Sequence, residues 1–379
     1  MLRLSVLMLF VIGAVVAQAA ADSDHLFEQT DVFVSGEDGY HTYRIPSLIV
    51  TPNGTVLAFC EGRKRGRGDS GDIDLVVKRS FDNGGTWQPM EVIADDGPNT
   101  IGNPCPVVDR GTGAIWLLLT RNLGEDSESE IMRGTSTGTR EVWVMKSEDN
   151  GATWSERKEI THTTKAPDWT WYATGPGCGI QLSSGRLVIP CDHAVQGTGQ
   201  WRSHVIYSDD HGTTWKLGGI LHDKTNECQV VELADGSLLL NMRSYHGNNR
   251  RAVATSEDGG LTWSDVTFDE ALVEPVCQAS LIRFTERTTH FKNRLLFANP
   301  ASTKRVAMTV RLSYDEGRTW PVSKMLHGGH SAYSALAILP DMTVGCLYER
   351  GERSPYEKIT FARFSLEWLT DGTDSLKQR

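Results

Sequence analysis

SFDNGGTW, Ser80 to Trp87, recurs in four further versions along the chain. They are SEDNGATW (Ser147–Trp154), SDDHGTTW (Ser208–Trp215), SEDGGLTW (Ser256–Trp263) and SYDEGRTW (Ser313–Trp320). Each keeps Ser-x-Asp-x-Gly-x-Thr-Trp. The Asp bonds amides of its own loop and the Gly takes positive φ, so every copy is a turn, closed by a Trp able to pack beneath it. Recurrence at roughly 50 to 65 residues marks an array of similar units rather than one irregular domain.

Outward from each phrase the same grammar repeats: a first apolar run, a Gly turn, a second run, an insertion, a third run, the phrase, a fourth run. Unit one reads IPSLIVT, PNG, TVLAFCEG, insertion, DLVVKRS, phrase, PMEVIA. Unit two has CPVVD, AIWLLLT and EVWVMKS; unit three has GIQLSSGRLVIPC and HVIYS. Units four and five have QVVELADGSLLLNM with RAVATS, and QASLIRF, RLLFAN and AMTVRLS. A sixth unit, from SALAILPDMTVGCLYE to EKITFARFSLEWL, lacks the phrase. Short, evenly punctuated runs of this kind are strands, and four per unit make a propeller blade. The expectation is an all-β, six-bladed β-propeller over residues 22–379, with a β-helix or a sandwich as alternatives.

The opening residues differ. Arg3, the apolar run Leu4–Val16 and the small residues Ala17–Ala21 read as a signal peptide over residues 1–21, with a membrane anchor as the alternative. The expected product is exported, into a periplasm, the medium or a lysosomal lumen, with no integral membrane span. A net charge of -10 argues against nucleic acid or an anionic membrane as partner. It does not exclude an anionic ligand, because bulk charge is screened beyond about 8 Å at physiological salt. Seven cysteines without close pairs or His clustering imply no metal and no cofactor; buried thiols are expected, with one or two disulfides as the alternative. Nothing specifies an oligomeric state.

Antiparallel order puts the start of every first strand, the end of every second and the insertion after it on one rim, with the repeated phrases on the other. The phrases are therefore structural. The first rim collects Arg44, Glu61, Arg63 and Asp69 from unit one and Asn103 from unit two. Trp169, Trp171 and Tyr172 precede unit three; Glu227 and Arg243 come from unit four, Arg305 from unit five, Tyr333 and Glu349 from unit six. Three guanidiniums at one mouth repel each other unless an anion is expected, and a planar carboxylate matches their forked donors.

YRIP, the EGR…D loop, NECQ, the NMRS arginine, RVAMTVR, SAYS and the five Asp-Gly phrases together resemble the exo-α-sialidase (neuraminidase) family, in its bacterial and animal branch, over essentially the whole mature chain. The resemblance implies that Arg44, Arg243 and Arg305 bind the carboxylate of a sialic acid on a sialylated glycan. It implies Tyr333 as nucleophile, Glu227 as its partner, Asp69 as acid/base and Glu349 as the support of Arg44. Arg63, Asn103, Trp169, Trp171 and Tyr172 are then expected around the hydroxyl, N-acetyl and glycerol groups. Asp72 competes with Asp69 for the acid/base place.

The chemistry is consistent with those residue types. Most retaining glycosidases use a carboxylate nucleophile, and sialidases with tyrosine are a recognised exception. An anionic nucleophile at a carbon that itself bears a carboxylate meets like-charge repulsion; a neutral phenol does not. A phenol with an ordinary pKa near 10 needs an adjacent base, which Glu227 supplies. The alternatives are a trans-sialidase and a non-catalytic lectin using the same arginines.

Overall fold

The computed structural model of the protein describes residues 25–222 and 224–376. The expected signal peptide, residues 1–21, lies outside them. The described residues form twenty-four strands. β1 (Phe27–Val34) pairs with the last strand of the chain rather than with its sequence neighbour. β2 (Thr42–Val50), β3 (Val56–Arg63), β4 (Ile73–Ser80) and β5 (Glu91–Ala94) form an antiparallel meander. So do β6 (Thr100–Val108), β7 (Ile115–Asn122), β8 (Glu141–Ser147) and β9 (Lys158–Glu159). In the third unit β10 (Trp169–Thr174) and β11 (Ile180–Gln181) both pair β12 (Leu187–Val195), followed by β13 (Gln200–Ser208) and β14 (Lys216–Ile220). The fourth is β15 (Thr225–Glu232), β16 (Leu238–Ser244), β17 (Arg250–Ser256) and β18 (Thr267–Val273).

The fifth unit runs β19 (Ser280–Thr285), β20 (Arg294–Pro300), β21 (Val306–Ser313) and the outer half of the long β22 (Val322–Ile338). The inner half of β22 begins the sixth, with β23 (Val344–Gly351) and β24 (Lys358–Phe364). Its fourth strand is β1, which pairs β24 and ties the two ends of the array together. The first strands touch in cyclic order, β2 to β6, β6 to the β10–β12 group, β12 to β15, β15 to β19, β19 to β22 and β22 back to β2. The fold is an all-β propeller.

Alternation explains the strand sequences. In β3, Val56, Ala58 and Cys60 enter the core against unit six, whereas Leu57 and Phe59 enter the core against unit two. Equivalent cores lie at each junction around the ring. A strand buried on both faces reads as an unbroken apolar run, which is why TVLAFC lacks polar alternation. The repeated phrases fasten these junctions. In each, the Ser Oγ accepts from the Gly amide and the Asp carboxylate accepts from the Thr amide and hydroxyl, as at Ser80, Asp82, Gly84 and Thr86. The Gly is held at positive φ, and a Cβ on Gly212 would stand 2.1 Å from the Trp116 ring of the preceding unit. Trp87 packs edge-on against Phe361, and Trp154 against Phe59, each again in the neighbouring unit.

One assignment changes. The WTWYAT stretch, expected ahead of unit three, is its first strand, β10. All seven cysteines are free thiols; Cys178 is half-buried and the others are buried. No helix among the described residues is long and apolar enough to cross a membrane.

Candidate active site

The site is assembled where the inner strands depart from regular pairing. Register breaks fall at Arg44/Ser47 in β2, Gly102/Cys105 in β6, Trp169/Tyr172 in β10, Thr225/Cys228 in β15 and Ser331/Ser334 in β22. Ile45 and Asn103, at two of these breaks, have positive φ. Such irregularities re-aim side chains at the end of a strand. Here they turn residues of successive units into one central cavity of about 340 Å3.

At its floor Tyr333 donates its hydroxyl to Glu227 Oε1 in a very close hydrogen bond. Glu227 Oε2 accepts from Arg243 Nη1 at 2.7 Å, and the same nitrogen lies 3.3 Å from the Tyr333 oxygen. Burial, and then the charge on Glu227, push the phenol well above its ordinary pKa, against the pull of Arg243, Arg44 and Arg305. The hydroxyl is therefore protonated at rest, with a base already in contact.

Three guanidiniums surround that phenol. Arg44 lies 4.9 Å from its ring centroid and Arg305 5.6 Å, while Arg243 touches its oxygen. Arg44 is held by Glu349, Nε to Oε1 at 3.1 Å and Nη2 to Oε2 at 3.4 Å. Fully buried Glu349 also accepts from the Ile45 amide at 3.0 Å and the Tyr333 amide at 3.1 Å, so one carboxylate orients both an arginine and the tyrosine's backbone. Arg305 is steadied by the Tyr356 hydroxyl at 2.7 Å.

Across the cavity, Arg63 shapes the loop that carries Asp69. It grips Glu61 at 2.6 Å and donates to the carbonyls of Arg67 and Gly68 at 2.6 and 2.9 Å. Its Nη2 is 2.8 Å from Asp69 Oδ1, and Arg44 Nη1 is 3.6 Å from that oxygen. Burial opposes the charge on Asp69, but Arg63 and Arg44 hold its carboxyl below the usual range. The Asp69 side chain is 48% exposed, open to an incoming group. Asp72 pairs with Lys64 at 3.0 Å and does not line the cavity, which separates the two candidates.

The remaining expected residues divide. Asn103 lines the cavity; its Oδ1 accepts from Arg140 and from Thr120. Trp171 lines it too, stacked 4.0 Å over the Arg140 guanidinium, which burial draws down to about 10. Trp169 and Tyr172 do not reach it and are corrected to core residues. The register break in β10 removes Trp169 from the face it would share with Trp171; it stacks on His193, and the Tyr172 hydroxyl is buried against His204 at 2.9 Å.

Sequence reasoning missed several wall residues, among them Glu128, Arg140, Asp192, Asn226, Tyr245 and Tyr356. Only Glu128 had a local signal: Ser127-x-x-Glu130 is a capping box that starts the short helix Glu128–Arg133 on the rim. Among the described residues no cluster of His, Cys, Asp and Glu is arranged to hold a metal ion. A larger groove of about 920 Å3 runs between units four and five, but it gathers Asp235, Glu257, Asp269, Glu270 and Glu316 around one Arg318 and offers no comparable set of facing acid, base and cations.

Residues 54–346 match the BNR repeat-like domain family. The chain is 32% identical to an exo-alpha-sialidase of Aspergillus fumigatus, over 89% of this chain and 87% of that one. It belongs to the sialidase family. Sialidase-3 of Mus musculus is 31% identical, with 88% of this chain and 93% of the mouse protein covered. The sialidase of Micromonospora viridifaciens is 37% identical over 95% of this chain. The chain spans 58% of that protein's length and 61% of a Bacteroides fragilis sialidase. Among solved structures, Hadza microbial sialidase Hz136 superposes with a TM-score of 0.83 at 35% identity, over 90% of this chain and 69% of that one. In this sialidase-family chain the three arginines, the tyrosine–glutamate pair and the exposed aspartate meet in one cavity.

Proposed function

We propose that the protein is an exo-α-sialidase that hydrolyses terminal α-ketosidically linked sialic acids from glycoproteins, glycolipids or oligosaccharides, with retention through a tyrosyl-enzyme intermediate. The observation that carries this reading is the Tyr333–Glu227 hydrogen bond at the meeting point of Arg44, Arg243 and Arg305. The substrate carboxylate docks on the three guanidiniums, which sets its anomeric carbon above the phenol. Glu227 takes the phenolic proton as Tyr333 Oη bonds to that carbon, and Asp69 gives its proton to the departing glycosidic oxygen. In the second half Asp69 deprotonates the attacking water, the carbon–Oη bond breaks, and Glu227 returns the proton to Tyr333.

Docking itself prepares the acid. At rest Arg44 and Arg63 keep Asp69 ionised. A bound carboxylate occupies Arg44 and sets a negative charge beside Asp69, and both effects raise its pKa toward the protonated form the first step needs. The amino-terminal stretch supports export of the protein before it meets such glycans.

The test is fluorescence release from an umbelliferyl α-sialoside by wild type and Tyr333→Phe in parallel. Turnover by the first and near-silence from the second, with sialic acid affinity kept, is expected. No turnover by folded wild type refutes the activity, and undiminished turnover by Tyr333→Phe refutes the nucleophile.

A further inference from the structure

One buried acid in the cavity has no part in that mechanism. Asp192, on β12, is 1% exposed and lines the wall between units three and four. Its Oδ1 accepts from Asn226 Nδ2 at 2.9 Å. Its Oδ2 is buried without any hydrogen-bond partner among the described residues. We propose that Asp192 is a specificity determinant whose Oδ2 hydroxyl donates a hydrogen bond to the outer part of the substrate's polyol tail. The proposal rests on the sialidase reading and concerns how the same cavity reads the sugar.

Three observations lead there. The first is protonation state: no cation among the described residues pairs with Asp192, whereas Asp69 and Glu349 each have an arginine in contact. Burial, then the neighbouring charges of Glu227 and Glu128, outweigh Arg243 and Arg140 and raise the Asp192 carboxyl well above the usual range, toward its neutral form. A neutral acid with one oxygen satisfied as an acceptor has a single O–H left to place, and burying it unpaired is unfavourable.

The second is position. The arginines fix the carboxylate end of the sugar beside units one, four, five and six, and Asp69 faces the leaving group from unit one. The amide and the polyol must lie along units two to four. The third is the division of labour on that wall. At units two and three, every Arg140 nitrogen is already engaged, by Tyr172 O, Asn122 and Asn103, beneath the flat face of Trp171. That surface fits the acetamido methyl. Unit three's junction with unit four offers the unused donor, and a hydroxylated chain is the part of a sialic acid that uses one.

The experiment compares umbelliferyl α-sialoside with its tail-shortened form, made by mild periodate cleavage and borohydride reduction, which removes the two outer hydroxylated carbons. Wild type should favour the intact sugar about tenfold in kcat/KM, the size of one well-made neutral hydrogen bond. Asp192→Asn, a neutral side chain that still donates, should keep that preference. Asp192→Leu should lose it, processing both sugars within about twofold, at a somewhat lower Tm because Asn226 Nδ2 loses its acceptor. Asp192→Ala serves as the same comparison if leucine is not accommodated. Equal use of both sugars by wild type overturns the proposal, as does a preference surviving in Asp192→Leu or lost in Asp192→Asn. Turnover of neither sugar by wild type instead sinks the sialidase reading and this inference with it.

Discussion

Glu349→Gln tests the part of the site that no substrate need touch. The carboxylate is fully buried and accepts four hydrogen bonds, two from Arg44 and one each from the Ile45 and Tyr333 amides. Glutamine keeps the shape but has one acceptor oxygen. If that oxygen faces Arg44 Nε and the Ile45 amide, the NH2 group confronts the Tyr333 amide and Arg44 Nη2, donor against donor. The Arg44 charge also loses its bidentate partner, leaving Asp69 at 3.6 Å as its nearest carboxylate. Removing one member of a buried ion pair costs about 3–5 kcal/mol, and the retained oxygen puts this change near the lower figure. Urea unfolding should therefore show a loss of about 3 kcal/mol at unchanged slope. The same change loosens both Arg44 and the strand segment that sets Tyr333, and small misplacements of this kind cost about 100-fold in rate. A stability loss under about 1 kcal/mol, or a full loss with kcat/KM on the umbelliferyl sialoside intact, refutes the claim that Glu349 organises both groups.

Other perturbations separate the remaining roles. Asp69→Ala should harm a natural sialoside far more than an umbelliferyl or nitrophenyl one, because only the poor leaving group needs its proton; equal losses across a leaving-group series would remove the acid assignment. In the repeated phrases, Asp149 is held at about 2 by the Thr153 hydroxyl and amide. Its folded pKa is depressed, so its contribution is present above the unfolded value near 4 and vanishes as pH falls from there through about 2. Asp149→Asn should lower Tm at neutral pH, and the gap from wild type should close between pH 4 and 2. A gap independent of pH contradicts this account.

Much of the fold could be read from the sequence because the same physics is repeated. Each phrase at Ser80, Ser147, Ser208, Ser256 and Ser313 encodes its turn locally, and strands such as TVLAFC announce burial on both faces. Rim order then gave Arg44, Arg243, Arg305, Glu227, Tyr333 and Asp69 without any side-chain geometry. Backbone irregularity is what alternation cannot see. The break in β10 sends Trp169 into the core and leaves Trp171 at the cavity, though the two stand two residues apart. Arg140 and Tyr356 were missed for another reason: each lies at or within a connection, where no period specifies which way a side chain points.

Charge shows why placement outweighs composition here. The protein carries a net charge of -10, and its cavity holds Glu61, Asp69, Glu128, Asp192 and Glu227 beside Arg44, Arg63, Arg140, Arg243 and Arg305. By count, that is no anion site. The wiring makes it one. Arg63 is consumed by Glu61, Asp69 and loop carbonyls, and Arg140 by amide and carbonyl oxygens, so neither offers a free fork. Arg44 turns Nε and Nη2 to Glu349 and leaves Nη1 beyond hydrogen-bond reach of Asp69. Arg243 gives only Nη1 to Glu227 and Tyr333, and its buried Nε has no partner among the described residues. Arg305 meets a neutral phenol and a carbonyl rather than a carboxylate. The three arginines around Tyr333 are thus the ones that keep unused N–H donors, and Arg305 among them faces no carboxylate at all, so an incoming anion finds forked donors there that the other two arginines do not offer. Acids elsewhere in the cavity do not cancel this demand, since Glu61 and Asp69 are tied to Arg63, and burial raises the pKa of Glu128 and Asp192 toward the neutral form.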